Sequence, residues 1–393
     1  MSEERPVADL GIDLTVFRGT LALSRDRNRG SEILRSLQAH ERTWESLSER
    51  QRNLVQGVPL IDFLLEKSAE LRYQDPAGMV RFAEMARMLT EVLKPRRYGA
   101  KLLANLKARA WGELGNAYRV ADDLDAAEAA LRRAAALLFR RGTGDLRLGA
   151  RLSELMAKLF SDRRRFTEAT ELMAEAVGVH LHLGDYTSAG RALISQGLIA
   201  GYGGDPRSAI WLFLQSLRRL GPEADPSLTL AAVHGLALNL CEAGLHDEAH
   251  LWVTTTKGLY SRQGDSLNML RLQWLEGKIA YGLEEFETAE ASFRAARLGF
   301  ENVSKYGDAA LVSLDLALLL AHQGRRLETL QLVDEMVATF KRLGIVREGI
   351  ASLLVLRKAC EAPASAPEVL CGQIRVVAAL VGKLQARRPG TRE

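Results

Sequence analysis

The chain has 393 residues, 47% of them hydrophobic, with 53 Lys+Arg against 49 Asp+Glu and a net charge of +4. So much apolar material excludes a disordered chain, and so mild a basic excess does not by itself argue for nucleic acid or an anionic membrane. The three cysteines, Cys241, Cys360 and Cys371, have no paired spacing, so they offer neither a disulfide framework nor a cysteine zinc knuckle and fit a reducing, cytoplasmic setting.

Residues 1–45 open on the charged stretch MSEERPVADL, which lacks the apolar region of a secretory signal. No run anywhere approaches the ~18 apolar residues needed to cross a bilayer, which predicts a soluble protein without membrane contact. LTVFRGTLAL (14–23) has strand character, SRDRNRGSE is highly polar, and 31–53 reads as helical with its basic side chains on a solvated face. No DNA-binding helix-turn-helix is legible, and 1–45 is set apart as a non-repeat segment. A divergent first helix pair is expected over 46–96. Within it DPAGMVRFAEMA (75–86) pairs an Asp-Pro helix start with Met79, Ala83 and Ala86, and the basic loop KPRRYG follows.

Six repeats occupy 97–343. A small residue recurs as Gly115, Ala157, Gly197, Ala237, Gly277 and Ala317, first after 42 residues and then after every 40. A second series, Ala127, Ala169, Ala209, Ala249, Ala289 and Thr329, keeps the same steps. Four residues after each comes a bulky apolar one: Leu131, Met173, Phe213, Val253, Phe293, Val333. Two antiparallel helices approach closely only where a small residue makes room for a neighbour's side chain, and the bulky residue fills the groove beside it. Asp145, Asp185, Asp225 and Asp265 punctuate the array as helix caps, with Gly144, Gly184 and Gly264 just before three of them. Residues 344–386 read as a closing helix pair broken by APASAP, and its last helix, PEVLCGQIRVVAALVGKLQA, is apolar enough to cap a stack. RRPGTRE (387–393) is an expected disordered tail.

Trp111, Leu114, Gly115, Tyr118, Ala127, Leu131 and Ala134 spell the W-x2-L-G-x2-Y…A-x3-F-x2-A pattern of the tetratricopeptide repeat (TPR). The chain resembles a TPR protein over its six repeats. The resemblance implies an all-α, right-handed α-solenoid of stacked antiparallel helix pairs. The 40-residue period exceeds the usual 34 and is similar to the arrays of bacterial peptide-sensing regulators and the maltose-responsive activator.

The same resemblance implies that the first helix of each pair lines a concave surface where ligands bind. With Trp111 as position 4, the groove positions carry Arg109, Asn116, Arg151, Glu154, Lys158, Arg191, Tyr202, His234, Arg271, Trp274, Lys278, Tyr281 and His322. This basic and aromatic set suits a protein or peptide partner with acidic groups or a free C-terminus. Asn116 and Arg191 match two positions of the family's carboxylate clamp, but Gly112, Leu155 and Ser195 depart from it, so no clamp is assigned.

GLHDEAHL (244–251) contains both a helicase-like Asp-Glu-Ala-His box and two histidines, His246 and His250, four apart. Ala249 is a repeat alanine and no GxxxxGK[ST] loop exists, so the stretch is read as the start of a second helix. No third zinc ligand is suggested, and His180 and His182, two apart, do not share a helix face. No nucleophile elbow, phosphate loop or cofactor motif appears, which argues against an enzyme. The leading expectation is a non-catalytic scaffold that binds a peptide or protein. The alternative is the ligand- or peptide-sensing module of a bacterial regulator. Nucleic-acid binding through RRYGAK, FRRGTGDLR and SDRRR ranks below both, because acids dilute these clusters, and self-association remains open.

Overall fold

The computed structural model describes residues 13–39, 46–221, 223–262, 266–342 and 367–385, together with 353, 356 and 360. The tail 387–393, most of the expected helix at the start of 344–386, the APASAP breaker up to 366, and Gly264 and Asp265 lie outside these residues. All regular structure among the described residues is helical. The chain divides into two compact units, Met1–Arg163 and Arg164–Glu393, whereas the repeat pattern runs unbroken across that boundary.

The first unit begins with α1 (Leu14–Ala39), a helix where the sequence suggested a strand. The reason lies in its inward face. Gly19, Leu23, Asp26 and Gly30 are buried at helical spacing, and only one of the four is a large apolar residue. A side chain at Gly19 would stand 2.1 Å from the Tyr98 carbonyl, and one at Gly30 2.1 Å from Pro59. Leu23 joins Val58, Tyr98 and Leu106 in a small core. Asp26 is buried and bonds Tyr98 Oη at 2.8 Å and Arg97 Nε at 2.8 Å. The short helix α2 (Glu49–Val55) starts with a capping box from Ser48 and Gln51.

Next come α3 (Val58–Glu70) and α4 (Pro76–Val92), which pack together through Ile61, Leu64, Leu65 and Ala86. Asp75 caps α4 by accepting from Gly78 N at 2.8 Å. A short turn of helix, α5 (Pro95–Tyr98), leads through Gly99 at φ +85° into α6 (Ala100–Val120). α7 (Leu124–Arg141) packs back on α6, and α8 (Leu146–Asp162) follows. Asp123 and Asp145 cap α7 and α8.

The second unit holds α9 (Phe166–His182), α10 (Tyr186–Tyr202), α11 (Pro206–Leu220), α12 (Pro226–Glu242), α13 (His246–Arg262), α14 (Ser266–Gly282), α15 (Phe286–Asn302), α16 (Tyr306–His322), α17 (Arg326–Arg342) and α18 (Pro367–Gln385). From α8 to α17 each helix begins 20 residues after the last, so the 40-residue repeat is two equal halves. The turns explain this regularity. Gly184, Gly204, Gly244 and Gly324 take positive φ just past a helix end, and Arg164, Glu284 and Ser304 do so without being glycine. The following N–H returns to the carbonyl five residues back, as in Asp185 to His180 at 2.9 Å and Lys305 to Phe300 at 2.8 Å. This closure is the Schellman motif, which satisfies carbonyls the helix end would leave bare. Asp185, Asp205 and Asp225 then cap the next helix.

The small residues face the bulky ones as the sequence pattern requires. A Cβ added at Gly115 would lie 2.7 Å from Leu131, at Gly197 3.0 Å from Phe213, and at Gly277 2.7 Å from Phe293. These crossings join α6 to α7, α10 to α11 and α14 to α15. α18 lies on α16 and buries Leu370, Cys371, Ile374 and Val377 with Leu353, Leu356 and Cys360 in the core at that end.

Candidate functional site

The first helix of each pair, α6 and α8 in one unit and α10, α12, α14 and α16 in the other, is buried except for one stripe. Side chains three or four apart fall on that stripe, so its residues form a common face.

In the first unit α6 contributes Arg109, Glu113, Asn116 and Arg119, and α8 contributes Arg151, Glu154, Lys158 and Asp162. Arg109 is ion-paired with Asp62 of α3, which also holds Arg27 of α1 at 2.7 Å. Arg151 grips Glu113 with two bonds of 3.0 and 3.2 Å and reaches Glu154 at 3.5 Å. Burial works against the Arg151 charge, but Glu113 and Glu154 together outweigh it and raise its pKa. Arg119 bonds Asp162 at 2.8 Å, and its guanidinium also donates to Asn116 Oδ1 at 3.3 and 3.1 Å. Lys158 is half-buried between these two rungs. Burial pushes its amine down to about 8, Arg151 adds to the shift, Glu154 offsets part of it, and Arg72 and Arg119 push the same way as Arg151.

In the second unit the α10 stripe is Arg191, Ser195, Leu198 and Tyr202, with Leu198 38% and Tyr202 47% exposed. His234 of α12 meets Tyr260 Oη at 3.1 Å. Burial, with Arg271 adding to it, lowers the His234 pKa to about 4, so the ring is neutral near pH 7. On α14, Trp274 Nε1 donates to Asp315 of α16 at 2.6 Å and its ring meets Phe300 edge-on at 6.4 Å. Lys278 contacts both Asp315 oxygens at 3.2 Å and Glu242 of α12 at 3.4 Å. Arg271 is exposed and touches Asn268 at 3.4 Å. Tyr281 and His322 meet at 3.3 Å.

The thirteen residues of the expected groove thus fall into two sets. Arg109, Asn116, Arg151, Glu154 and Lys158 lie in the first unit, and Arg191, Tyr202, His234, Arg271, Trp274, Lys278, Tyr281 and His322 in the second. Arg109, Arg151, Trp274 and Lys278 are held by acids of the chain, so a partner would meet them as pairs rather than open charges. Sequence reasoning passed over those acids: Asp62, Glu113 and Asp315. A signal for two of them was present, because Glu113 and Arg151 are 38 residues apart and Lys278 and Asp315 are 37 apart, close to one repeat.

The stretch GLHDEAHL leads into α13. His246 starts α13 with its ring against Gly282, where an added Cβ would sit 2.1 Å from Nδ1, while His250 is exposed. Among the described residues no three His, Cys, Asp or Glu side chains are grouped to hold a metal ion, and no helix is long and apolar enough to cross a membrane.

No family model and no curated protein matches the chain. Several solved structures share its fold. A Rap protein complexed with competence and sporulation factor aligns with a TM-score of 0.60 at 11% identity, over 83% of this chain and 87% of the other. The protein is a TPR-like helical repeat protein. The apo form of RapI aligns with this repeat protein at a TM-score of 0.59 and 12% identity, over 94% and 98% of the two chains. Aspartyl phosphate phosphatase F from Bacillus subtilis gives 0.57 and 15%, over 84% and 85%. At such identities the likeness carries the TPR-like fold and leaves the chemistry to this chain's own residues.

Proposed function

We propose that this protein is a non-catalytic binding scaffold whose first-helix faces grip a peptide or protein partner. The observation that carries this reading is the α10 stripe, where Arg191, Ser195, Leu198 and Tyr202 run along one helix face with guanidinium, apolar and aromatic groups open to solvent. Such a stripe offers an anchor for a carboxylate beside broad surface that loses little entropy on binding. A Rap protein of the same fold solved in complex with a factor supports it. One similar structure is named a phosphatase. Here the acids of the first-helix faces serve as ion-pair partners and His234 is neutral against Tyr260, which favours binding over catalysis. A second reading, a sensing module of a bacterial regulator, places the same stripe in a signalling role, since repeats touch only their neighbours and small shifts add along a stack.

The test is affinity capture from native lysate with recovery of both proteins and peptides, followed by titration of whatever is enriched against Arg191→Ala with Tyr202→Ala. An affinity at least about tenfold weaker is expected, from loss of one charged contact and one aromatic face. Equal affinity in a variant that melts like the wild type would remove α10 from the site.

A further inference from the structure

The second unit holds a cavity of about 320 Å³ between α15, α16 and α17. No residue of the first-helix stripes lines it, so it is separate from the face used by the binding reading above. Ala309 and Ala310 of α16 and Met336 of α17 are buried and form its apolar floor. One repeat earlier the same place is filled. Leu270 stands at the position of Ala310 and Gly299 at that of Thr339, and a Cβ added at Gly299 would lie 2.1 Å from Leu270 Cδ2. Leu270 thus occupies the room between α14 and α15. In the next pair alanine replaces that leucine, and the room stays open. Apolar walls left to water gain when a ligand covers them.

The charged side chains sit at the mouth. Arg297 of α15 donates to Glu301 at 3.0 Å and to Glu335 of α17 at 2.6 Å. The two carboxylates are more exposed than the floor, at 37% and 57% of their side chains. One guanidinium between two carboxylates leaves one negative charge uncompensated. Each carboxylate gives Arg297 one oxygen and keeps the other without a partner among the described residues. The cavity therefore joins an apolar floor to open acceptors of negative charge. An anion would meet repulsion there, because the one lining guanidinium is already held by two acids.

We propose that this cavity binds a small organic ammonium ion with an apolar body. The body lies on Ala309, Ala310 and Met336, and the ammonium donates to the open oxygens of Glu301 and Glu335. An aromatic body suits the floor well, since a thioether such as Met336 makes favourable contacts with rings.

Phenethylamine is the probe, protonated at pH 7. The full chain is labelled with 13C at the methionine methyls, and the Met336 signal is assigned by its loss in Met336→Leu. Phenethylammonium should shift that signal saturably, with a midpoint of about 1 mM or lower. Phenethyl alcohol, which keeps the body without the charge, and phenylacetate, which reverses it, should bind about tenfold or more weakly. Ala310→Leu restores the leucine of the preceding repeat and should weaken the amine about tenfold or more. Glu335→Gln, at an exposed position, removes one acceptor charge, leaves the Arg297–Glu301 pair, and should weaken it about fivefold or more.

No saturable shift of Met336 up to about 20 mM amine overturns the proposal. So does equal binding of phenethyl alcohol, or an affinity unchanged in Glu335→Gln. Phenylalanylglycinamide offers the same ring and ammonium as a peptide N-terminus. Tighter binding than phenethylammonium assigns the cavity to chain termini and weaker binding to free amines, and both agree with the proposal.

Discussion

Lys278 in the second unit and Lys158 in the first hold the same place in the repeat and live in opposite electrostatic states. At Lys278 burial opposes the charge, but Asp315 and Glu242 outweigh it and hold the amine above its ordinary value. At Lys158 burial prevails and three guanidinium groups deepen the shift. A repeat fixes where a side chain points, and its neighbours one repeat away decide what it can do.

The comparison can be broken most forcefully at Asp315. Asp315→Ala leaves Lys278 buried beside only Glu242 and strips Trp274 Nε1 of its acceptor, which should cost about 3–5 kcal/mol in denaturant unfolding. A loss below about 1 kcal/mol would mean the Asp315 network is not what steadies α14 against α16. Lys158→Met should do the reverse, holding or raising stability at pH 7 by up to about 2 kcal/mol, because it removes a half-buried charge that Glu154 offsets only in part.

The pH dependence sharpens the contrast. The folded pKa of Lys158 is lowered to about 8, so the folded chain sheds that proton before the unfolded chain does. Its contribution to stability therefore rises with pH from about 8 up to the ordinary lysine value near 10.4. The folded pKa of Lys278 is raised, so its contribution is complete below the ordinary value and is lost as pH climbs past it. The stability advantage of Lys158→Met over wild type should shrink between about pH 8 and 10, and parallel curves for the two proteins would contradict the Lys158 assignment.

The smallest effect serves as a control. Ser304 holds φ +57° at a helix end where glycine is at ease, so Ser304→Gly should stabilise the fold by about 0.5–1 kcal/mol. It touches neither lysine, so the Lys158 titration midpoint should not follow it. A midpoint that tracked global stability would show that Lys158 reports on unfolding rather than on its own surroundings.

Much of the fold was legible because its determinants are local and periodic. Gly115, Gly197 and Gly277 are small because Leu131, Phe213 and Phe293 need the space, and a fixed step carries that need along the chain. α1 was less legible, since its inward face uses Gly19, Asp26 and Gly30, which a search for apolar periodicity does not count. The first-helix stripes were legible as positions but not as charges. Whether Arg151 or Lys278 is open depends on Glu113 and Asp315, set by pairing between helices about a repeat apart. Lys158 looked like its fellows in the sequence, and its difference from Lys278 shows only once Val120 is laid over Glu242.

The twenty-residue spacing of helix starts from α8 to α17 makes length a discrete variable for this chain. Loss or duplication of a forty-residue block returns every later helix to its original direction and keeps each turn intact. Loss of a single twenty-residue half would reverse every later helix and exchange its outward stripe for its packed one. Inheritance can therefore lengthen or shorten the array only in whole steps. Each step also shifts which acid follows which lysine, so a new poorly matched amine can arise from copying alone, with no change at the lysine itself.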